Sequence, residues 1–200
     1  MQRSLLLAML GLPLLVRPAA ADDTLDKIKT GKIVVQSLSR GSGPKAGRAS
    51  AIIEAPAEVV AEIIADVARY PEFVPRCTDS RKVRNGSYVV FTKLPWPLRD
   101  TWAYIKMTRT DRRNLRYLSW KMLNGTLRSY EGQAWVQPLD AKRSVLTYQM
   151  LAVPLVAGAP DSLISSGLRD AVKTMVKALR ERAAVVLARR PAPGKIVAAQ

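Results

Sequence analysis

The chain has 200 residues, 48% of them apolar, which is enough for one domain with a buried core. Lys and Arg number 32 against 16 Asp and Glu, and the formal charge of +16 favours an anionic partner: a phospholipid surface, a nucleic acid or an acidic protein. There is no histidine and a single cysteine, Cys77, so a Ser-His-Asp triad, a His-ligated zinc site and an intrachain disulfide are excluded.

Met1-Gln2-Arg3 is a short positive start, residues 4–16 are an apolar run, and Ala19-Ala20-Ala21 offers small residues for a signal peptidase. The run is shorter than the roughly 20 residues that span a bilayer. Residues 1–21 are therefore expected to be a cleaved secretory signal, with retention as an anchor the alternative. The mature protein, periplasmic or secreted, then comprises a domain over 22–190 and a loose tail, 191–200. Export argues against a nucleic-acid partner.

Residues 22–30 are polar and read as a helical turn or a tail. A strand is predicted over 32–38 and a second over 48–55, separated by a loop with three glycines and Pro44. Pro56 then suits the first turn of a helix. Val59, Val60, Ile63, Ile64 and Val67 follow at helical spacing until Tyr70-Pro71. From Cys77 to Pro154 the signals are mostly β. Strands over 78–84 and 87–94 flank Asn85-Gly86, a strong two-residue hairpin signal. Strands over 100–110 and 115–123 follow. Asn124-Gly125 is read as the next turn, before strands over 126–139 and 144–153. Short connections mean antiparallel neighbours.

The last pattern is the longest. Ile164, Leu168, Val172, Met175, Leu179, Ala183 and Val186 draw one apolar stripe down a helix over 161–188. At about 1.5 Å per residue that helix spans roughly 40 Å and must lie on something broad and apolar. The sequence predicts α+β: a curved antiparallel sheet of about seven strands gripping its C-terminal helix.

Residues 59–77, with Asp66, Tyr70-Pro71, Phe73 and Pro75 in order, resemble the first helix of the START-like helix-grip superfamily. The likeness is to its coenzyme Q-binding and polyketide-cyclase branch. Pro95-Trp96-Pro97-Leu98-Arg99-Asp100 is similar to a proline-rich turn of START lipid-transfer domains, and Gly132 with Trp135, Val136 and Leu139 to a late strand. The resemblance covers residues 48–188. It implies an elongated cavity between sheet and C-terminal helix that shelters a hydrophobic molecule, without catalysis in most members.

Alternation along the strands names the inward side chains. Ile105 and Met107 oppose Lys106 and Thr108. Leu118, Trp120 and Met122 oppose Ser119 and Lys121. Tyr130, Ala134 and Val136 lie on the next strand, and Leu146, Tyr148 and Met150 on the last. With Leu168, Val172, Met175 and Leu179 of the helix, these are the candidate ligand-binding residues. The methionines suit a site for varied apolar shapes. Tyr130, Tyr148 and Arg128 are the candidate polar groups. Gly167 is a place where a ligand or strand could come close, or else a local helix irregularity. Trp96, Leu98, Pro154, Leu155 and Val156 fall in two unusually apolar connections and are the candidate gate, suited to transient contact with an anionic membrane surface.

The first functional expectation is a monomeric, non-catalytic carrier for a phospholipid, sterol or isoprenoid quinone, with no cofactor, metal or catalytic residue. The alternatives are a cyclase- or hydrolase-type enzyme, for which Glu131 is the nearest carboxylate, and a ribosome- or nucleic-acid-binding module.

Overall fold

The computed structural model describes residues 19–39, 43–94, 99–155 and 160–189. Three α-helices are present, α1 (Ala19–Lys29), α2 (Ala57–Ala65) and α3 (Asp161–Arg189). The strands are β1 (Val34–Leu38), β2 (Ala46–Ile53), β3 (Cys77–Arg84), β4 (Ser87–Thr92), β5 (Thr101–Arg112), β6 (Leu115–Gly125), β7 (Leu127–Pro138) and β8 (Ser144–Pro154). They form one antiparallel sheet in the order β1-β2-β8-β7-β6-β5-β4-β3. The expected seven strands are eight.

The order follows from the connections. β3 through β8 pair in chain order as an antiparallel meander, and β2 of the first hairpin pairs with β8. The β3–β4 turn is the Asn85-Gly86 pair, with Arg84 opposite Ser87 and Gly86 at φ +66°, a conformation that favours glycine. Pro56 precedes α2 and accepts the Val60 N–H, so it caps the helix and does not begin it. A 3-10 helix, Val67–Glu72, carries Pro71 and continues the chain to β3.

The chain reverses at Asn124-Gly125 as predicted, since β6 ends at Gly125 and β7 begins at Leu127, but the two strands are not paired up to the turn. β6 stays paired with β5 as far as Gly125, opposite Ala103, while its pairing with β7 ends at Lys121 and Glu131. The reason is Thr126, whose hydroxyl accepts the Trp102 N–H at 2.9 Å and whose N–H reaches the Trp102 carbonyl at 3.0 Å. Two bonds to β5 hold the chain there, and β7 starts only afterwards. The polar segment 22–30 is also more than a tail. It belongs to α1, whose Ile28 is only 2% exposed, and Gln36 of β1 donates to Thr24.

α3 lies mainly on β2, and less on β8 and β1, while α2 sits over β6 and β7. The seat for α3 is made by small side chains. Ala49 and Ala51 of β2 are fully buried, and a Cβ on Gly47 would stand 2.5 Å from the Leu168 carbonyl oxygen. Glycine is needed there because helix backbone meets strand backbone.

Gly167 plays no such part. Nothing lies within 4 Å of the position its Cβ would take. The close approach expected there occurs one residue later on the helix, opposite Gly47. Gly167→Ala is therefore expected to raise stability by up to about 1 kcal/mol, through helix propensity alone. A thermal-melt comparison checks it, and a lower melting temperature would mean that the open space is needed.

Candidate functional site

The concave face of the sheet, covered by α2 and α3, gathers the predicted side chains. Ile105, Met107, Leu118, Trp120, Ala134, Val136, Leu146, Tyr148, Val172, Met175 and Leu179 belong to one buried apolar cluster. Met122, Tyr130 and Met150 pack against it half-buried. Leu168 is buried apart from it, where α3 meets Gly47. Sequence reasoning missed Val90 and Tyr88, which extend the same face onto β4, opposite Ala103 and Ile105 of β5. Their signal was the alternation in 88–92, hidden by the apolar Val89 and Phe91 on the other side. No charged residue is buried among the described residues; the buried polar ones are Ser50, Ser80, Ser87, Ser144 and Gln149.

Trp120 is the centre of this face. Its indole lies across the neighbouring strand, over Gly132, where a Cβ would come within 2.1 Å of Cζ2. This explains the glycine on a buried strand position. The ring then reaches Tyr148, with centroids 5.1 Å apart. Met150, directly opposite Gly132, completes the patch.

Four tyrosines point to this side, and they divide by what their hydroxyls do. Tyr70 donates to the Ile64 carbonyl at 2.7 Å, and Tyr88 to the Ala65 carbonyl at 3.3 Å. Both fasten the end of α2. Burial raises the pKa of each. Tyr130 and Tyr148 carry no such bond. Burial pushes Tyr130 up to about 12, with the neighbouring Trp120 opposing part of that shift, and it lifts Tyr148 well above the ordinary phenol value. Both therefore remain neutral and able to donate. Trp120 Nε1 is buried and points its N–H at the Tyr130 hydroxyl in poor alignment, the contact that opposes part of the Tyr130 shift.

Cys77 is 9% exposed at the start of β3, and burial, then the nearby Asp79, pushes its thiol up to about 11. That makes it a packed thiol rather than a nucleophile.

Other expectations are corrected. Arg128 is exposed and does not join the interior. Glu131, by contrast, lies where its alternation with Ala134 and Val136 predicts, on the outer face in register with Lys121 and Leu151. No carboxylate is buried among the described residues. Of the gate residues, Pro154 is half-buried and Leu155 is 64% exposed, whereas Trp96, Leu98 and Val156 lie outside the described residues. Leu163, across the same connection, is 66% exposed.

Two concavities formed by described residues lie elsewhere than between the sheet and α3. One, of about 410 Å³, is an open groove on the outer sheet face between Lys106, Ser119, Lys121, Gln133 and Gln149. The second, of about 270 Å³, separates α2 from the end of α3, floored by Ile63, Phe73 and Val186. Arg182 caps it, stacked 5.3 Å from the Phe73 ring centre and bonded to Glu72 at 2.6 Å. The segments expected to open the interior, 95–98 and 156–159, lie outside the described residues.

Glu58 of α2 bridges to the sheet through Arg116 Nε at 2.7 Å and through Arg109. The two guanidiniums, Arg116 first, hold its carboxyl below the usual range. This fixes the start of α2 over β5 and β6, and with it the roof of the tyrosine cluster.

Residues 53–180 match the family model described as polyketide cyclase / dehydrase and lipid transport. Among solved structures, a STAR-related lipid transfer protein from Xanthomonas axonopodis is 20% identical. It superposes with a TM-score of 0.64 over 76% of this chain and 93% of its own. A START superfamily protein from Mycobacterium smegmatis is 13% identical, with a TM-score of 0.61 over 70% of this chain and 98% of its own. The di-domain ARO/CYC StfQ of the steffimycin biosynthetic pathway is 13% identical, with a TM-score of 0.54 over 72% of this chain and 46% of its own. No curated protein matches the chain. At these identities the structures establish a shared helix-grip fold.

Proposed function

Since the chain belongs to the polyketide cyclase / dehydrase and lipid transport family, we propose that it carries one hydrophobic molecule between the concave sheet face and α3, without transforming it. The observation that carries this reading is the continuous buried apolar cluster from Val90 on β4 to Leu179 on α3, with no buried charge among the described residues. Apolar enclosure with a few polar groups is what a lipid-sized ligand requires. The absence of histidine removes the commonest general base, and the nearest carboxylate considered, Glu131, faces outward. The cyclase alternative keeps the breadth of the family description as its support.

The protein acts in the periplasm, exported by residues 1–21. Cleavage after Ala21 would shorten α1 by three residues and leave Ile28 in place. Leu155 and Leu163 are exposed on either side of the β8–α3 connection, and a mature chain of net charge +14, once Arg3 and Arg17 are removed, would bring such a surface to anionic headgroups.

The test is expression of the full chain, separation of periplasm from cytosol, and extraction of lipid from the purified protein for mass spectrometry. The expected result is periplasmic protein holding about one lipid-like molecule per chain. Protein that neither retains nor takes up any lipid would end the carrier reading, and cytosolic protein would end the assignment of place.

A further inference from the structure

The outer face of the sheet carries a row of polar side chains. Thr108, Ser119, Gln133, Gln149 and Arg48 stand in register on neighbouring strands, from β5 through β6, β7 and β8 to β2. Adjacent members are about 4.8 Å apart in the strand-to-strand direction. The first four line the open groove of about 410 Å³, a volume within the range of about 300–1,000 Å³ usual for small-ligand sites.

Gln149 is the fixed point of the row. It is 8% exposed, and it is the only amide among the buried polar side chains of the described residues. Arg48 donates to its Oε1 from Nη2 at 2.8 Å and from Nε at 3.2 Å. A guanidinium can only donate, so Oε1 must face Arg48 and Nε2 is turned away. Arg48 is itself held 5.8 Å from the centre of the Trp135 ring, and Trp135 packs on Tyr117. Nε2 makes no hydrogen bond to a described residue and is not shut off from solvent, so its N–H groups are free to serve the groove. Beside it, the Ser119 and Thr108 hydroxyls share one hydrogen bond of 2.8 Å, which leaves one of their two protons to give. Gln133 adds an amide that both donates and accepts, and Tyr117 adds an aromatic wall.

An alkyl chain laid here would take water from these groups and return nothing. A phosphate is best held by cations free to bond it, whereas Lys106 donates to the Asn85 carbonyl at 2.7 Å and Lys121 stands opposite Glu131. Adjacent hydroxyls, each able to give and to accept, match the row, and the C–H face of a sugar ring suits the tyrosine ring. We propose that the outer groove binds a short neutral saccharide, laid along Thr108, Ser119, Gln133 and Gln149 with Tyr117 beside it. The site lies on the opposite side of the sheet from the buried apolar face and does not depend on the carrier reading.

Full-length protein labelled with a nitrogen isotope is titrated separately with maltotriose, cellotriose, triacetylchitotriose and adenosine monophosphate, and followed by nitrogen–proton correlation NMR. At least one trisaccharide is expected to shift the side-chain amide signals of Gln133 and Gln149, and the nucleotide is not. Gln149→Glu keeps an oxygen for Arg48 and removes the N–H donors. It should lower affinity for that saccharide about 2- to 10-fold, the range of one neutral hydrogen bond, with the melting temperature retained. Gln133→Leu, at a half-buried position, should weaken binding likewise. No shift with any trisaccharide, larger shifts of these signals with the nucleotide, or affinity unchanged in both variants overturns the inference. Lipid extraction from the same protein reads the carrier proposal separately.

Discussion

Leu179→Ala is expected to cost about 2–5 kcal/mol, the range for emptying a fully buried leucine site. Leu179 is 0% exposed and belongs to the buried apolar cluster that joins α3 to the sheet and α2. For a domain of this size the melting temperature should fall by about 5–15 °C. Leu163→Ala is the control. Leu163 belongs to the same helix but is 66% exposed, and its loss should shift stability by no more than about 0.5 kcal/mol. Urea titrations of the two variants decide the matter. Equal midpoints would mean that the long stripe of α3 is not what holds the helix to the sheet.

Gly132→Ala should damage both the sheet and the ligand face. The added Cβ would stand 2.1 Å from Trp120 Cζ2, 2.5 Å from Cε2 and 2.6 Å from the Gln149 carbonyl oxygen. The carbonyl belongs to the β-ladder and cannot retreat, so the indole must leave its place. Overpacking of this kind costs about 1–3 kcal/mol. Displacing Trp120 also separates it from Tyr148, and lipid uptake should fall along with stability. Emission from the tryptophans should shift to longer wavelength as the indole meets water. A variant with wild-type melting, emission and lipid uptake would show that Trp120 does not lie over Gly132. The neighbouring change Ala134→Gly is a useful comparison, since it loosens β7 without touching Trp120.

Much of the architecture was legible in the residues because both periodicities are strong. The step of two along 103–107, 118–122 and 146–150 sorts inward from outward side chains, and each of those lists matches the sheet face on which the residue stands. The step of three and four along 164–186 fixes the buried stripe of α3, of which Leu168, Val172, Met175, Leu179 and Ala183 are the buried part. Both signals are local. A side chain's direction along one strand or helix depends only on its own backbone geometry.

The misreadings share the opposite property. The turn at Asn124-Gly125 is present, but its width was not legible, because it depends on Thr126 bonding to Trp102 on the other side of the strand. Gly167 looked like a point of close approach because glycine costs a helix stability, yet the contact falls at Gly47, in a stretch read as loop and strand. Arg128 was weighed as a polar group of the interior, and it stands exposed.

Charge, missing histidine, strand and helix faces, and the long final helix were thus settled by the amino-acid order alone, for each depends on a residue and its near neighbours. Which glycine admits another backbone, which tyrosines find a carbonyl and which donors remain unmatched were decided only by folding. Those outcomes depend on atoms brought together from distant parts of the chain, whose distances no spacing within one segment records.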